Sequence, residues 1–505
     1  MKNNPYAYLK SGTDIRGTAI EKDGKPVDLT DNRLMSITAA FVEFLKEKLG
    51  KDKLTVTVGY DSRVSSSRIS KTVCKTLLSL GVKVYDCGLS STPSMFMSVV
   101  NFDVDSAVEI TASHLPMEMN GLKFFTREGG FSGDDIKKIL KTAQENPYEV
   151  TLCTGETEKL NNMEKYCNDL CEMIKKGVNA ENYHKPLENL KIVVDAGNGV
   201  GAFYVENVLK VLGANTEGSR YLDPDGTFPN HIPNPENAIA MKSICEAVEE
   251  SGADLGVIFD TDCDRAACVD KNANEINRNK LVALASYIAL KDNEGGVIVT
   301  DSVTSDGLNE FIEKHLGGVH HRFKRGYKNV IDEAKRLQNE EGKCAPLAIE
   351  TSGHAAFSEN YYLDDGAYLI TKIIIEAAKL AKVNETIESV IKELKTPVEE
   401  KEVRFTIKLS DFRDYGLSVI SDFKTLCEDT EGVTVTPVNY EGVRVNFDGA
   451  NGDGWQLLRM SVHEPLLVLN CESNKEGGVL RMLEFFNDFI SKYKELDVSK
   501  LQAIL

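Results

Sequence analysis

Short apolar runs alternate with amphipathic stretches along most of this chain, and this alternation limits its fold more than any other feature. Residues 54–63 predict a buried strand that ends in a polar loop, and the residues after it predict a helix that ends at Gly81. The pattern recurs at residues 82–88, 106–114, 190–199, 253–262 and 295–303. Alternating strands and helices predict parallel sheets flanked by helices, with ligands beyond the carboxyl ends of the strands.

The last part of the chain has a different pattern. Residues 403–409, 433–438 and 443–448 alternate apolar with polar side chains, which predicts antiparallel strands. Residues 455–473 predict a hairpin with its turn near Ser461 to Pro465, and a closing helix follows. At about 150 residues per domain, a chain of 505 residues should hold three or four domains. The fold class predicted is therefore α/β, with three α/β domains and a C-terminal α+β domain.

Net charge and cysteine usage narrow the class of protein. The formal net charge of −19 argues against broad nucleic-acid or anionic-membrane binding, because both need basic surface. The eleven cysteines are scattered without zinc spacing, and there is no apolar run of 18 residues. A soluble, reducing, cytoplasmic protein is expected. Its state as monomer or homodimer is left open.

Three carboxylates follow the apolar run 255–259 in what we call the acidic loop, residues 260–265. Asp260, Asp262 and Asp264 can face one cation, and their hard oxygen atoms favour Mg²⁺ or Mn²⁺. An EF-hand would need glycine at the sixth position, where Arg265 stands. The alternative is a solvated acidic turn.

A second loop, the serine loop of residues 111–116, follows the strand predicted at 106–110. Ser113 beside His114 is compatible with a covalent nucleophile. On local grounds, a helix N-cap is the commoner role for such a serine. Lys123 lies shortly after this loop and offers a proton donor or an anion ligand.

Two further loops combine hydroxyl and charged groups. The glutamate loop, residues 350–354, brings Glu350, Ser352 and His354 together in a way that suits hydroxyl recognition. In the arginine turn, residues 459–465, an arginine and a serine hydroxyl could hold a phosphate through charge-assisted bonds. Taken locally, an ordinary turn explains either loop equally well.

The four loops, in this order, resemble those of the α-D-phosphohexomutase superfamily, of the phosphomannomutase/phosphoglucomutase type. TASHLP is similar to its phosphoserine loop, DTDCDR to its metal loop, ETSGH to its sugar-binding loop and RMSVHEP to its phosphate-binding loop. Weaker support comes from GTDIRG, GYDSR, NGLK, DAGNGVG and PDGTFPNHIPNP. The resemblance extends from residue 12 to about residue 470.

The resemblance implies four domains around a central cleft: 1–155 with the phosphoserine loop, 156–272 with the metal loop, 273–395 for the sugar and 396–505 for the phosphate. It implies a phosphohexomutase that interconverts hexose 1-phosphate and hexose 6-phosphate, of glucose or mannose, with a small phosphosugar as partner. Mg²⁺ would be the cofactor, and a hexose 1,6-bisphosphate would act as intermediate and activator. Phosphoglucosamine mutase and phosphopentomutase of the same superfamily are the alternatives.

Site residues follow from the same resemblance, motif by motif. Ser113 would carry the phosphate, and Asp260, Asp262 and Asp264 would bind the metal together with a phosphoserine oxygen. The residues implied in catalysis are Ser113, His114, Lys123, Arg16 and Arg265. Those implied in substrate binding are Gly326, Tyr327, Lys328, Glu350, Ser352, His354, Arg459, Ser461 and His463.

Some positions depart from the family pattern. Leu115 replaces the usual asparagine of the serine loop, Thr261 replaces a glycine of the metal loop, and Ile349 stands where glycine often precedes the sugar-loop glutamate. Val462 and His463 replace the usual residues of the phosphate loop. The residues implied in the chemistry itself are retained.

Three other functions compete with this interpretation. Gly197 to Ala202 after a predicted strand fits a dinucleotide-binding fingerprint, but a single match of this kind is weak. A haloacid-dehalogenase-type enzyme would use Asp260 as nucleophile, but Asp264 stands where that motif needs threonine or valine. A non-catalytic phosphosugar-binding protein would have no need for Ser113 and Lys123.

Overall fold

The computed structural model describes residues 6–152, 155–461 and 464–505. The chain divides into two compact units. The first unit runs to Ile288 and includes Ser352–Val390, and the second comprises Ala289–Thr351 and Ile391–Leu505. Within the described ranges, every helix is too short or too polar to cross a membrane.

The N-terminal part of the first unit is a mixed sheet with helices packed on it. Helix α1 shows how the sequence sets its ends, because the Thr30 side chain accepts the Arg33 N–H at the start and Gly50 ends the helix at φ 63°. The strands β1 to β8 are Lys10–Ser11, Asp14–Thr18, Thr55–Tyr60, Lys83–Leu89, Ser106–Ile110, Met119–Thr126, Gly129–Gly130 and Glu158–Lys159. The helices α1 to α4 are Asp31–Leu49, Ser66–Ser79, Thr92–Asn101 and Gly133–Glu145.

A second sheet completes most of the first unit, in the order β12-β11-β10-β9. The strands β9 to β12 are Ile192–Asp195, Leu255–Phe259, Ala266–Asp270 and Glu275–Ile276. The helices α5 to α8 are Asn162–Val178, Ala202–Tyr204, Ala238–Ser251 and Arg278–Leu290.

The next stretch is divided between the two units. The strands β13 to β17 are Val297–Thr300, Val319–Arg322, Leu347–Ile349, Ala355–Phe357 and Leu363–Asp364, and the helices α9 to α11 are Asp306–Glu310, Tyr327–Glu341 and Gly366–Ala381. In the second unit β13 pairs in parallel with β14 and β15. In the first unit β16 and β17 form an antiparallel pair.

The C-terminal sheet is antiparallel throughout, as the alternation predicts, in the order β18-β22-β21-β20-β19. Its strands are Glu399–Thr406, Val433–Val435, Val443–Phe447, Gly454–Met460 and Leu466–Ser473, and the helices α12 to α14 are Phe412–Glu428, Gly478–Ile490 and Ser499–Gln502. The predicted hairpin is present, with Met460 opposite Leu467 beside the turn. A core that includes Phe405, Phe423 and Phe486 joins its helices to the sheet.

The first two sheets differ from the expected parallel arrangement at β6 and β11, the strands that follow the serine loop and the acidic loop. Strand β5 is parallel to β3 but antiparallel to β6, and β10 is parallel to β9 but antiparallel to β11. The connections 111–118 and 260–265 are too short for a parallel crossover, which needs a dozen or more residues. The serine and acidic loops are therefore reversing connections, and this fixes both of their ends.

Candidate functional site

The serine hydroxyl of the serine loop lies against the acidic loop, although Ser113 and Asp260 are 147 residues apart in sequence. Ser113 Oγ donates to Asp260 Oδ2 at 2.9 Å, and Arg265 Nη2 donates to Ser113 Oγ at 2.9 Å. All three residues are buried. A hydroxyl between a carboxylate and a guanidinium is a suitable acceptor for a phosphoryl group, because the carboxylate can accept the proton and the guanidinium can stabilise the transferred charge.

The backbone at Ser113 has a conformation that a serine rarely adopts. Its φ is +51°, and its N–H donates to the Thr111 hydroxyl at 2.8 Å. Strand β6 follows this loop rather than a helix, so the N-cap alternative for Ser113 is excluded. Strained backbone of this kind is maintained only where the surroundings impose it, as at functional sites.

Arg63 imposes that backbone, a role that the sequence did not reveal beyond the motif GYDSR. Its guanidinium is fully buried, and its Nε donates to Asp61 Oδ2 at 3.1 Å. Its two terminal nitrogens donate to three carbonyl oxygens of the loop, those of Ser113, Leu115 and Pro116, and to that of Met119, the first residue of β6. Gly226 of the PDG motif packs on this residue, since a Cβ there would lie 2.5 Å from the Arg63 Cα.

The acidic loop gathers three buried carboxylates whose ligand atoms all lie within 4.8 Å of one another. Among the described residues, Asp262 Oδ1 and Asp264 Oδ1 are buried without a hydrogen-bond partner. Burial and the neighbouring Asp264 and Asp262 raise the pKa of Asp260 well above its usual range. Three hard oxygen donors with unsatisfied lone pairs fit a divalent cation.

Lys123, on β6, partly neutralises this cluster. Its ammonium bonds Asp262 Oδ2 at 3.1 Å and also bonds Asp264 Oδ2. Burial alone would raise the pKa of Asp264, but Lys123, His354 and Arg265 together lower it well below its usual range. The Thr92 hydroxyl donates to the same Asp262 oxygen at 2.5 Å. The ammonium is thus placed by carboxylates of a loop about 140 residues away in sequence.

His114 is held as a neutral imidazole. Burial, followed by the charges of Arg265 and Arg16, lowers its pKa to about 2. An Arg265 N–H donates to Nδ1, so the ring proton of the neutral form is on Nε2. Arg16 itself lies on β2, where its Nη2 donates to Asp14 at 2.8 Å.

The end of the glutamate loop reaches the same place. His354 forms an antiparallel bridge with Arg265, and a Cβ on Gly353 would lie 2.6 Å from the Ala266 carbonyl oxygen, which explains the glycine. His354 Nδ1 lies 2.6 Å from Asp364 Oδ2 and 3.8 Å from Asp264 Oδ1. Ser352 is buried in the same unit, two residues earlier.

The dinucleotide-like glycine run has a structural role here. Gly199 packs on the acidic loop, where a Cβ would lie 2.6 Å from the Thr261 carbonyl oxygen, and Val200 N–H donates to that oxygen at 2.9 Å. Under this run, His231 Nε2 lies 3.0 Å from both oxygens of Asp195. Gly199 is therefore explained by its close packing on the acidic loop.

The remaining predicted residues lie in the second unit. Glu350 Oε1 accepts the Gly326 N–H at 2.6 Å, so the glutamate loop and the turn before α10 are joined. Tyr327 and Lys328 begin α10, and Lys328 pairs with Asp332 one turn later. A cavity of about 300 Å³ in this unit is lined by Ser302, His320, His321, Arg322, Phe323, Thr436, Val438, Asn439, Tyr440, Glu441, Arg444 and Leu457.

The arginine turn is described only in part. Arg459, the last residue but one of β21, has a buried guanidinium. The Ser461 N–H closes the turn by donating to the Leu466 carbonyl at 2.8 Å. The Ser461 hydroxyl accepts the Glu464 N–H at 3.2 Å. Val462 and His463 lie outside the described residues, so the predicted role of His463 stays a prediction.

Comparisons with known proteins agree with these loops. Family models described as phosphoglucomutase/phosphomannomutase, alpha/beta/alpha domains I, II and III match residues 9–149, 164–274 and 277–397. A phosphoglucomutase/phosphomannomutase of Thermococcus kodakarensis is 30% identical over 475 residues, covering 93% of this chain and 95% of that protein. A phosphomannomutase/phosphoglucomutase of Pseudomonas putida is 27% identical over 87% of this chain and 88% of its own length. The crystal structure of a family protein from Burkholderia thailandensis matches with a TM-score of 0.78 at 26% identity, covering 96% of this chain and 97% of that one.

Proposed function

Because this chain belongs to the phosphoglucomutase/phosphomannomutase family of the α-D-phosphohexomutase superfamily, and so is a hexose phosphate mutase, we propose that it works through a phosphorylated Ser113. The observation that supports this most is the Ser113 hydroxyl, bonded at 2.9 Å to both Asp260 and Arg265. The reaction interconverts hexose 1-phosphate and hexose 6-phosphate, with glucose and mannose as the candidate sugars. A hexose 1,6-bisphosphate is the intermediate and serves as activator.

Asp260, Asp262 and Asp264 hold Mg²⁺ in this proposal, and a phosphoserine oxygen completes the protein ligands. Their two unpartnered oxygens and mutual proximity support the assignment. The bound ion supplies Lewis-acid polarisation of the phosphoryl oxygens. Burying a phosphoserine of about −1.5 to −2 beside three carboxylates also needs the positive charges of Arg265 and Lys123.

Phosphoryl transfer needs little covalent help from the protein. A sugar hydroxyl oxygen attacks the phosphorus of phospho-Ser113, and the bond from phosphorus to Ser113 Oγ breaks. Negative charge spreads over the three equatorial oxygens of the transferring group. Arg265, whose guanidinium already contacts Ser113 Oγ, and Lys123 lie nearby to stabilise that charge. After the sugar reorients, its other phosphate returns to Ser113.

Two protons must move in each transfer. The sugar hydroxyl loses its proton to a base, and Ser113 Oγ gains one from an acid. Lys123, as an ion-paired ammonium, suits the acid. His354 suits the base because Asp364 orients its ring at 2.6 Å. His114, neutral and with its proton on Nε2, donates a hydrogen bond to a phosphate or sugar oxygen.

The groups that bind the substrate remain as the resemblance implies. Glu350 and Ser352 bond sugar hydroxyls, and Gly326, Tyr327 and Lys328 form the turn that helps set the sugar preference. Arg459 and Ser461, with His463, hold the phosphate that does not react.

The ten cysteines among the described residues are all free thiols, which supports a reducing compartment such as the cytoplasm.

A coupled mutase assay with Ser113→Ala tests the proposal. Glucose 1-phosphate, mannose 1-phosphate and glucosamine 1-phosphate are supplied in turn with Mg²⁺ and a catalytic amount of hexose bisphosphate. We expect turnover with a hexose phosphate in the wild type and none in Ser113→Ala, with the fold intact by circular dichroism. Ser62→Ala is the matched control, because the Ser62 hydroxyl is buried without a hydrogen-bond partner among the described residues and should be lost without effect.

Near-full activity of Ser113→Ala would refute the role of Ser113. A phosphopeptide map distinguishes the mechanisms directly, since phosphate on Ser113 is expected. An acyl-phosphate on Asp260 would instead establish the haloacid-dehalogenase-type alternative. Wild-type turnover with glucosamine 1-phosphate alone would establish phosphoglucosamine mutase.

A further inference from the structure

Two arginines of the second unit, Arg325 and Arg459, both contact Glu441. Arg459 is the last residue but one of β21, and Arg325 lies in the turn between β14 and α10. Each guanidinium has a carboxylate nearby: Arg459 Nη1 lies 3.6 Å from Glu441 Oε1, and Arg325 Nε lies 3.4 Å from Asp301 Oδ2. Both carboxylates are largely buried, so this is a built group of charges and not an accident of mobile surface side chains.

Glu441 fixes the position of one arginine relative to the other. Its Oε2 accepts the Arg325 backbone N–H at 3.0 Å and the Ser302 hydroxyl at 2.7 Å, while Oε1 faces Arg459. The next residue, Gly442, has φ +61°, and a Cβ there would lie 2.8 Å from the Arg459 Cα. The turn that carries Glu441 is therefore packed directly on Arg459.

The two guanidinium groups differ in exposure. The Arg459 side chain is 5% exposed, and its Nε is buried without a hydrogen-bond partner among the described residues. The Arg325 side chain is 23% exposed and projects from a turn. Burial lowers the pKa of Arg459, Glu441 opposes this, and the nearby charge of Arg325 lowers the pKa further. An anion shared by the two side chains would offset the repulsion between them.

We propose that Arg325 is a second phosphate-binding residue, which shares the non-reacting phosphate of the substrate with Arg459. This inference rests on the proposed function. A mutase must hold a phosphate ester on C1 in one half-reaction and on C6 in the other, and the two esters leave the sugar in different directions. Arg459 is the rigid contact common to both, and Arg325 adjusts to each ester.

Binding to a catalytically silent chain tests this without turnover. Glucose 1-phosphate and glucose 6-phosphate are titrated by calorimetry into Ser113→Ala and into Ser113→Ala with Arg325→Met. Loss of one charge-assisted contact is expected to raise the Kd for both esters by about 10- to 100-fold. Lys324→Met is the control, because it removes an equal positive charge from the neighbouring residue. The Lys324 side chain is exposed, and its ammonium lies over the Phe323 ring.

Kinetics of the active enzyme give a second readout. In chains that keep Ser113, Arg325→Met is expected to raise KM for both esters with kcat changed less than about threefold, as loss of uniform binding does. Arg325→Lys, which keeps the charge but not the fork, should recover part of the affinity. A Kd within twofold of the parent, or an equal rise in Lys324→Met, overturns the proposal. Failure of the proposed function is distinguishable, because the wild type would then show no turnover and no phosphate on Ser113.

Discussion

Arg63→Met is expected to release the serine loop while leaving most of the first unit folded. Methionine keeps an unbranched apolar stem but removes every donor. The variant loses three donated bonds to carbonyls of the serine loop, one to the Met119 carbonyl at the start of β6, and the charged partner of the buried Asp61. Removal of one member of a buried ion pair costs about 3–5 kcal/mol. Most of this loss of stability should fall on the serine loop, because it receives three of the four carbonyl bonds.

Amide hydrogen exchange in residues 111–119 measures the effect where it occurs, since a chain with several sheets need not unfold in a single step. The N–H groups of Thr111, Ser113 and Leu115 are hydrogen-bonded in the native loop. A loss of about 3–5 kcal/mol corresponds to exchange faster by about 10²- to 4 × 10³-fold. Mutase activity should fall by at least about 10²-fold, because misplacement of a reacting group by 1 Å has that effect.

A second variant separates the effect of the lost loop bonds from the effect of the lost ion pair. In Arg63→Met with Asp61→Asn, the uncompensated carboxylate is gone, so part of the lost stability should return. Neither loop protection nor activity should return, because the carbonyl bonds are still missing. Wild-type exchange and wild-type kcat in Arg63→Met would refute the idea that this guanidinium holds the loop.

Two further predictions concern buried ionisable groups. Glu109 on β5 is fully buried, with both carboxylate oxygens unpartnered among the described residues, and burial followed by Asp61 and Asp262 raises its pKa well above 4.5. Above pH 4.5 the unfolded chain releases this proton before the folded chain does, so the wild type loses stability as the pH rises. The free energy of unfolding of Glu109→Gln should therefore increase relative to that of the wild type by up to about 1.4 kcal/mol per pH unit until the folded pKa is reached. A difference that stays constant with pH in urea unfolding would contradict this. Burial opposes the charged form of His231, but Asp195 outweighs it and raises the His231 pKa, so the pair stabilises the fold fully below the unfolded pKa of about 6.5. The destabilisation by His231→Gln should therefore be largest near pH 6 and shrink as the pH rises through the folded pKa, and the opposite trend in thermal unfolding would rule out a charged His231.

The local sequence was sufficient to predict the helices and strands and to identify the superfamily. The fold class and the membership inferred from four loop motifs are confirmed by the three family models and by the structural match. A motif such as Asp260-Thr261-Asp262 can be interpreted locally because three carboxylates in one turn repel each other whatever the rest of the fold does. The hairpin around Ser461 follows in the same way from alternation and turn chemistry.

The site itself depended on contacts between residues far apart in sequence. The alternation of strands and helices could not show that β6 and β11 run antiparallel to the strands before them. Their direction follows from the short serine and acidic loops that precede them. Nor could the alternation show that the Arg63 guanidinium reaches three carbonyls in a loop about 50 residues away. The placement of Ser113 Oγ at 2.9 Å from Asp260 was likewise decided by tertiary structure. Sequence periodicity reports which face of an element is buried, whereas packing of whole sheets decides which buried loops meet.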